Sequence, residues 1–101
     1  MIVVERLTQK VHNGKWEDLE KLEKKYNILE ESFGFPPKKR YQCIAGGYTM
    51  NTLIIERQWE SFAEMESTYE KALANEDYQK LGQESNSIIK SNQMELFTPL
   101  P

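Results

Sequence analysis

Residues 2–11, IVVERLTQKV, mix β-branched and polar positions and stop at Asn13-Gly14, a turn signal, which predicts a first strand. From Lys15 the period changes. Trp16, Leu19, Leu22, Tyr26, Leu29 and Phe33 recur at steps of three or four and form one stripe of a helix, the face turned to a core. Asn13 can cap its first turn, Glu17/Lys21 and Glu20/Lys24 are i,i+4 pairs on its outer face, and Gly34 is placed to end it. Pro36-Pro37 forbids its continuation.

Residues 39–46, KRYQCIAG, form a predicted second strand, and Gly46-Gly47-Tyr48-Thr49 reads as a short hairpin connection to a third strand at about 50–58, antiparallel to the second. Ser61-Phe62-Ala63-Glu64 fits a capping box and starts a second helix, with Phe62, Met65, Tyr69, Ala72 and Leu73 as its buried stripe. Asn75 can cap a further helical segment that carries Tyr78, Leu81, Ile88 and Ile89 and is weakened by Gly82. Residues 92–98, NQMELFT, alternate as a fourth strand that Pro99 ends.

The order βαββα(α)β is the split βαβ arrangement, an α+β ferredoxin-like βαββαβ sandwich. It has a four-stranded antiparallel sheet, strands one and three central, and helices on one face only. A face simply left wet would make each strand apolar at alternate positions. Instead strand one has Ile2, Val3, Val4 and Leu7, and strand three has Leu53, Ile54 and Ile55. Both faces need cover, and about 100 residues supply no third layer, so the expected cover is a second copy, giving a homodimer sheet against sheet.

Composition narrows the class. At 101 residues, 39% hydrophobic and 29% charged, the chain is expected to be one domain, residues 1–101. A net charge of −3 gives no basic footprint for nucleic acid, and Lys38-Lys39-Arg40 reads as a solvated entry to strand two. The longest apolar run is four residues, so no membrane span is expected, and with no visible secretory signal the expected location is cytoplasmic. One cysteine, Cys43, and one histidine, His12, provide neither an intrachain disulfide nor a zinc cluster, and no metal or cofactor is expected. Cys43 reads as a small buried hydrophobe inside strand two, and His12 as exposed.

Two stretches resemble the dimeric α/β-barrel superfamily, which includes the antibiotic biosynthesis monooxygenase-like domains and the NIPSNAP proteins. VERLTQKVHNGKWEDLEKL is similar to that group's first strand, glycine turn and helix one. IIERQWESFAEMESTYEKALANEDYQKL is similar to its strand three, serine-capped helix two and following short segment with an acidic-aromatic pair, here Asp77-Tyr78. The resemblance implies a homodimeric barrel with a cavity between sheet and helices in each subunit. Its monooxygenase members bind aromatic polyketides or haem there and oxygenate without a separate flavin or metal, aided by asparagine, tryptophan or histidine. This chain departs from that pattern: residues 61–74 contain no histidine, and strand one offers Glu5, Arg6 and Thr8 but no asparagine.

Within the chain itself, Glu56 and Arg57 are adjacent in a strand and point to opposite faces, and Arg57 shares its side with Trp59. The outward charge is expected to pair across strands with Glu5, Arg6 or Glu95. An inward Arg57 could hold a ligand by bidentate hydrogen bonds, with Trp59, Tyr41, Tyr69, Trp16 and Tyr26 as aromatic wall and hydroxyl points. The expected function is therefore a small dimer binding a hydrophobic or aromatic small molecule, and the alternative is a cofactor-independent monooxygenase acting on an electron-rich aromatic.

Overall fold

A computed structural model describes all 101 residues. Along the chain run β1 (Val3–Val11), α1 (Trp16–Phe33), β2 (Lys38–Gln42), β3 (Thr52–Trp59), α2 (Phe62–Leu73), α3 (Glu76–Ser85) and β4 (Ile89–Phe97). The sheet order is β2-β3-β1-β4 and every pairing is antiparallel, so β3 and β1 are central, as the ferredoxin-like pattern requires. No helix is long and apolar enough to cross a membrane.

Register sorts the side chains into two faces. Val3 lies opposite Trp59, Glu5 opposite Arg57, Leu7 opposite Ile55 and Gln9 opposite Leu53, and these rows face the helices. Val11, Leu53 and Ile55 pack with Leu19 and Leu22 of α1, Leu81 of α3 and Ile88 into one apolar cluster, edged by Leu7, Trp16, Tyr26, Leu29 and Ile89. That core occupies one end of the sheet's helix face. The other end, rows 57/5 and 59/3, carries buried charge and aromatic rings instead.

The caps mostly follow the sequence. Ser61 Oγ accepts from the Glu64 amide at 3.1 Å, and Asn75 Oδ1 accepts from the Tyr78 amide at 3.0 Å. Gly34 takes the left-handed conformation (φ 85°) that ends α1, and the Phe35 amide turns back to the Glu30 carbonyl at 3.0 Å. Ser61→Ala is expected to lower stability by about 1 kcal/mol. Urea unfolding measures it, and an unchanged midpoint would show that the cap contributes nothing to α2.

Several expectations are corrected. Asn13 does not cap α1: its Oδ1 accepts from Asn51 Nδ2 at 3.1 Å, while Asn51 Oδ1 accepts from Trp16 Nε1 at 3.0 Å, tying the first turn to the start of β3. The buried positions of α2 are Thr68 and Ala72, whereas Phe62 and Leu73 are exposed at its two ends. β2 stops at Gln42 because residues 43–51 leave the ladder as a loop, and Cys43 sits half-buried in it with Sγ 3.4 Å from the Ala45 and Tyr48 carbonyls. Ile88 and Ile89 are not helical. β4 begins at Ile89, while Ile88 packs into the apolar core from the turn before it, its carbonyl accepting from the His12 amide at 2.9 Å.

The face away from the helices has no cover within the chain. It carries Val4, Ile54, Tyr41 and Phe97, with Tyr48 reaching over Lys10 at 4.8 Å. On this side Glu56 meets its expected cross-strand partner, Arg6, at 2.8 Å, and the Arg6 guanidinium lies 4.9 Å from the Phe97 ring centroid.

Candidate functional site: a cavity between sheet and helices

Where the apolar core gives way to charged and aromatic rows, a cavity of about 210 Å³ remains between the sheet and all three helices. Leu7, Gln9, Ile55 and Asn92 form its sheet side, and Leu19, Leu22 and Tyr26 of α1 form one wall. Tyr69 of α2, with Tyr78 and Ser85 of α3, closes the opposite side, and Glu23, Glu30, Lys38 and Arg57 supply its charge.

That charge comes from α1 and β2, whose periods match, and from Arg57 of β3. On α1, Glu20, Glu23 and Glu30 fall on one stripe, and on β2, Lys38 and Arg40 share the side facing it. Arg57 Nη2 lies 2.7 Å from Glu30 Oε2, and Lys38 Nζ bridges Glu30 Oε1 at 2.8 Å and Glu23 Oε1 at 2.5 Å. Arg40 Nε is 3.6 Å from Glu23 Oε2, and its two terminal nitrogens hold Glu20 at 3.1 and 2.7 Å. The Arg40 hydrogen bond keeps the Glu20 carboxyl below its ordinary range. Lys38-Lys39-Arg40 is thus not merely a solvated strand entry: only Lys39 faces away, and its neighbours are committed to α1.

Beside the cavity stands a box of rings. Phe35, delivered by the Gly34 turn, lies 5.6 Å from Trp59, 5.1 Å from Tyr69 and 6.5 Å from Tyr78, ring centroid to centroid, and the Arg57 guanidinium sits 4.9 Å from its centre. Under the box Glu5, 2% exposed, accepts from Trp59 Nε1 at 3.0 Å through one oxygen and from the Tyr69 hydroxyl through the other. Burial, the largest single influence, works against the Arg57 charge, but Glu30, Tyr69 and Glu5 together outweigh it and raise the pKa. Burial and the adjacent Glu5 charge push Tyr69 well above the ordinary phenol value. Burial alone is the largest cause for Tyr78, raised to about 12.

A pH dependence follows from these phenols. The unfolded chain releases their protons near pH 10, while the folded chain holds the Tyr78 proton to about pH 12. Between those values unfolding releases protons, so their contribution, full below pH 10, is lost as pH rises. Urea midpoints measured from pH 9 to 12 should fall with pH, and less steeply in Tyr78→Phe. Equal slopes in the two proteins would refute the assignment.

The six candidates from the sequence do not form one site. Arg57, Tyr69 and Tyr26 line the cavity. Trp59 shares their side of the sheet, as strand parity requires, but packs behind Tyr69, 5.8 Å between ring centres, as the donor to Glu5. Tyr41 is corrected to the uncovered face: it pairs with Ile54 in register and is 49% exposed. Trp16 is corrected to the far end of the core, bonded to Asn51. Glu5, Glu30, Lys38 and Phe35 were missed. For the three charges the signal was present as the Glu20/Glu23/Glu30 stripe and as the parity of Glu5 with Val3 and Leu7; for Phe35 there was none, because a loop side chain has no period. No group of three or more His, Cys, Asp or Glu side chains converges as a metal site.

The chain is therefore an α+β ferredoxin-like domain with a small, partly charged cavity between sheet and helices. Among solved structures, it shares this fold with NIPSNAP family proteins. One from Agrobacterium tumefaciens superposes with a TM-score of 0.81 at 16% identity, covering 99% of this chain and 94% of that one. A NIPSNAP-like domain protein from Burkholderia xenovorans gives 0.81 at 11% identity, covering 98% and 85%. A protein from Arabidopsis thaliana gives 0.73 at 16% identity, covering 98% and 96%. By sequence the chain matches no protein-family model and no curated protein. Identities this low establish the shared fold and leave the activity to the site.

Proposed function

We propose that this is a cytosolic homodimeric NIPSNAP-like protein that binds a small hydrophobic or aromatic molecule in the cavity between sheet and helices. The observation that carries this reading is the cavity itself: about 210 Å³, walled by Leu7, Leu19, Leu22, Ile55 and tyrosine rings, with a buried arginine at its side. Ligand pockets usually run from about 300 to 1,000 Å³, so a space of this size suits a small compound.

The dimer is supported by the uncovered face. Tyr41, Tyr48 and Phe97 are exposed there beside Val4 and Ile54, an apolar set that one chain leaves in water. Light scattering at micromolar concentration should give twice the 11.9 kDa of one chain, and Ile54→Glu should give single chains. A monomeric parent protein would refute the dimer.

Ligand binding is tested by titrating tryptophan fluorescence with 2-naphthol and with tetralone against the parent and Ser85→Phe, which places a ring in the cavity. Saturable quenching in the parent, lost in a folded Ser85→Phe, supports the reading. Equal binding by both proteins places the ligand elsewhere. The second reading, oxygenation without a cofactor, is favoured by one observation: the Tyr69–Glu5 hydrogen bond puts a proton-accepting pair at the cavity. Oxygen uptake with anthrones and quinols that disappears in Tyr69→Phe would establish it, and no uptake leaves binding as the function.

A further inference from the structure

At the end of the sheet opposite Arg57 and Trp59, an open cleft of about 650 Å³ is bordered by Lys10, His12, Asn13, Asn51, Lys90 and Ser91. It is separate from the cavity between sheet and helices: no residue lines both, and Lys10 lies five residues, about 17 Å, along β1 from Glu5. Its charge is one-sided. The chain carries 16 acidic against 13 basic side chains, yet two lysines and no carboxylate line this cleft. Neither lysine has an ion-pair partner. The acids that follow the 12–15 turn, Glu17 and Asp18, are drawn to Lys21 at 4.0 Å and Lys15 at 3.6 Å.

The fold also fixes the donors of this cleft. Lys10 Nζ gives one proton to the Thr52 hydroxyl at 3.2 Å and lies 4.8 Å from the centre of the Tyr48 ring, which holds the ammonium in place with protons to spare. Gly14 (φ 74°) shapes the turn in which the Lys15 amide donates to the His12 carbonyl at 3.1 Å, and Asn13 of that turn meets Asn51. The relay from Trp16 then has one polarity. An indole only donates, so Asn51 turns its oxygen to Trp16 and its amide nitrogen to Asn13, which receives with its own oxygen. What remains at the open end is Asn13 Nδ2, a donor with no partner in the chain. His12 adds a ring N–H in either protonation state.

We propose that this cleft binds a phosphoryl dianion, carried by a small phosphate monoester or present as inorganic phosphate. Two lysine charges match the charge of about −1.5 to −2 that such a group carries at pH 7, and its three terminal oxygens suit donors arriving from β1, the 12–15 turn and β4. A carboxylate brings less charge and fewer acceptor oxygens. A concave cationic place concentrates its field locally, so the site attracts an anion although the whole chain has a net charge of −3.

The test follows the Trp16 indole and Asn13 side-chain amide signals by nitrogen–proton correlation NMR while glycerol 3-phosphate, inorganic phosphate or acetate is added in about 0.15 M sodium chloride. At least one of the two phosphates should give saturating shifts there, with half-saturation below about 1 mM, and acetate should bind at least about tenfold more weakly. The tighter phosphate identifies the source as monoester or free ion. Lys10→Gln and Lys90→Gln should each weaken that binding by about tenfold. Asn13→Asp keeps the acceptor that Asn51 needs and replaces the free donor with a carboxylate, so it should abolish saturation while the spectrum stays that of a folded chain. Shifts that grow linearly without saturating would overturn the site. Equal binding of acetate, or phosphate binding unchanged in Asn13→Asp, would overturn it as well.

Discussion

Trp59→Ala is expected to lower the stability of the folded chain by about 3–5 kcal/mol, the range for truncating a buried aromatic residue. Trp59 is 1% exposed, at the end of the sheet where the aliphatic core has already stopped. Its ring is the common neighbour of Phe35 and Tyr69, and its Nε1 is one of the two donors to buried Glu5. Alanine would leave a void and a carboxylate oxygen without its partner. Trp59→Phe separates the two effects: most of the ring volume stays, and the cost falls to about 1–3 kcal/mol for the unpaired oxygen. Because domains of this size are stable by about 5–15 kcal/mol in total, the alanine variant should unfold at much lower urea. A loss below about 1 kcal/mol would show that Trp59 does not hold this end of the sheet together.

The second large effect is expected at Arg57. Arg57→Ala removes one partner of a buried ion pair, leaving Glu30 with Lys38 alone and Glu5 without a nearby cation, at a cost of about 3–5 kcal/mol. Replacing both members, Arg57→Met with Glu30→Met, should recover most of that loss, because the desolvation of two charges disappears with their attraction. The comparison is a double-mutant cycle on urea unfolding. Additive losses would show that the 2.7 Å contact carries no coupling, and the buried arginine would then need another explanation.

These two residues also mark how far local pattern reaches. That Arg57 and Trp59 share a side, with Glu56 on the other, follows from strand parity, and the register bears it out. The serine and asparagine caps and the left-handed glycine were legible for the same reason: each depends on atoms within three or four residues. Tyr41 shows the boundary. Parity says that it alternates with Arg40 and Gln42, but only pairing with Ile54 decides that it faces away from the helices. Asn13 shows another, since a competing donor 38 residues away drew its side chain off the helix it was placed to cap.

The sequence by itself determined the elements, their order and the alternation of side chains, because hydrophobic period, capping and turn chemistry act over a few residues. Tertiary structure alone decided the site. The Glu20/Glu23/Glu30 stripe acquires its meaning from β2 and Arg57 arriving opposite it, Glu5 becomes a buried acceptor only under Trp59 and Tyr69, and Phe35 enters the aromatic box from a loop. In a buried place the state of a charge or a hydroxyl is set by whichever partners the fold brings within about 3 Å, and those partners lie as many as 64 residues apart in the chain.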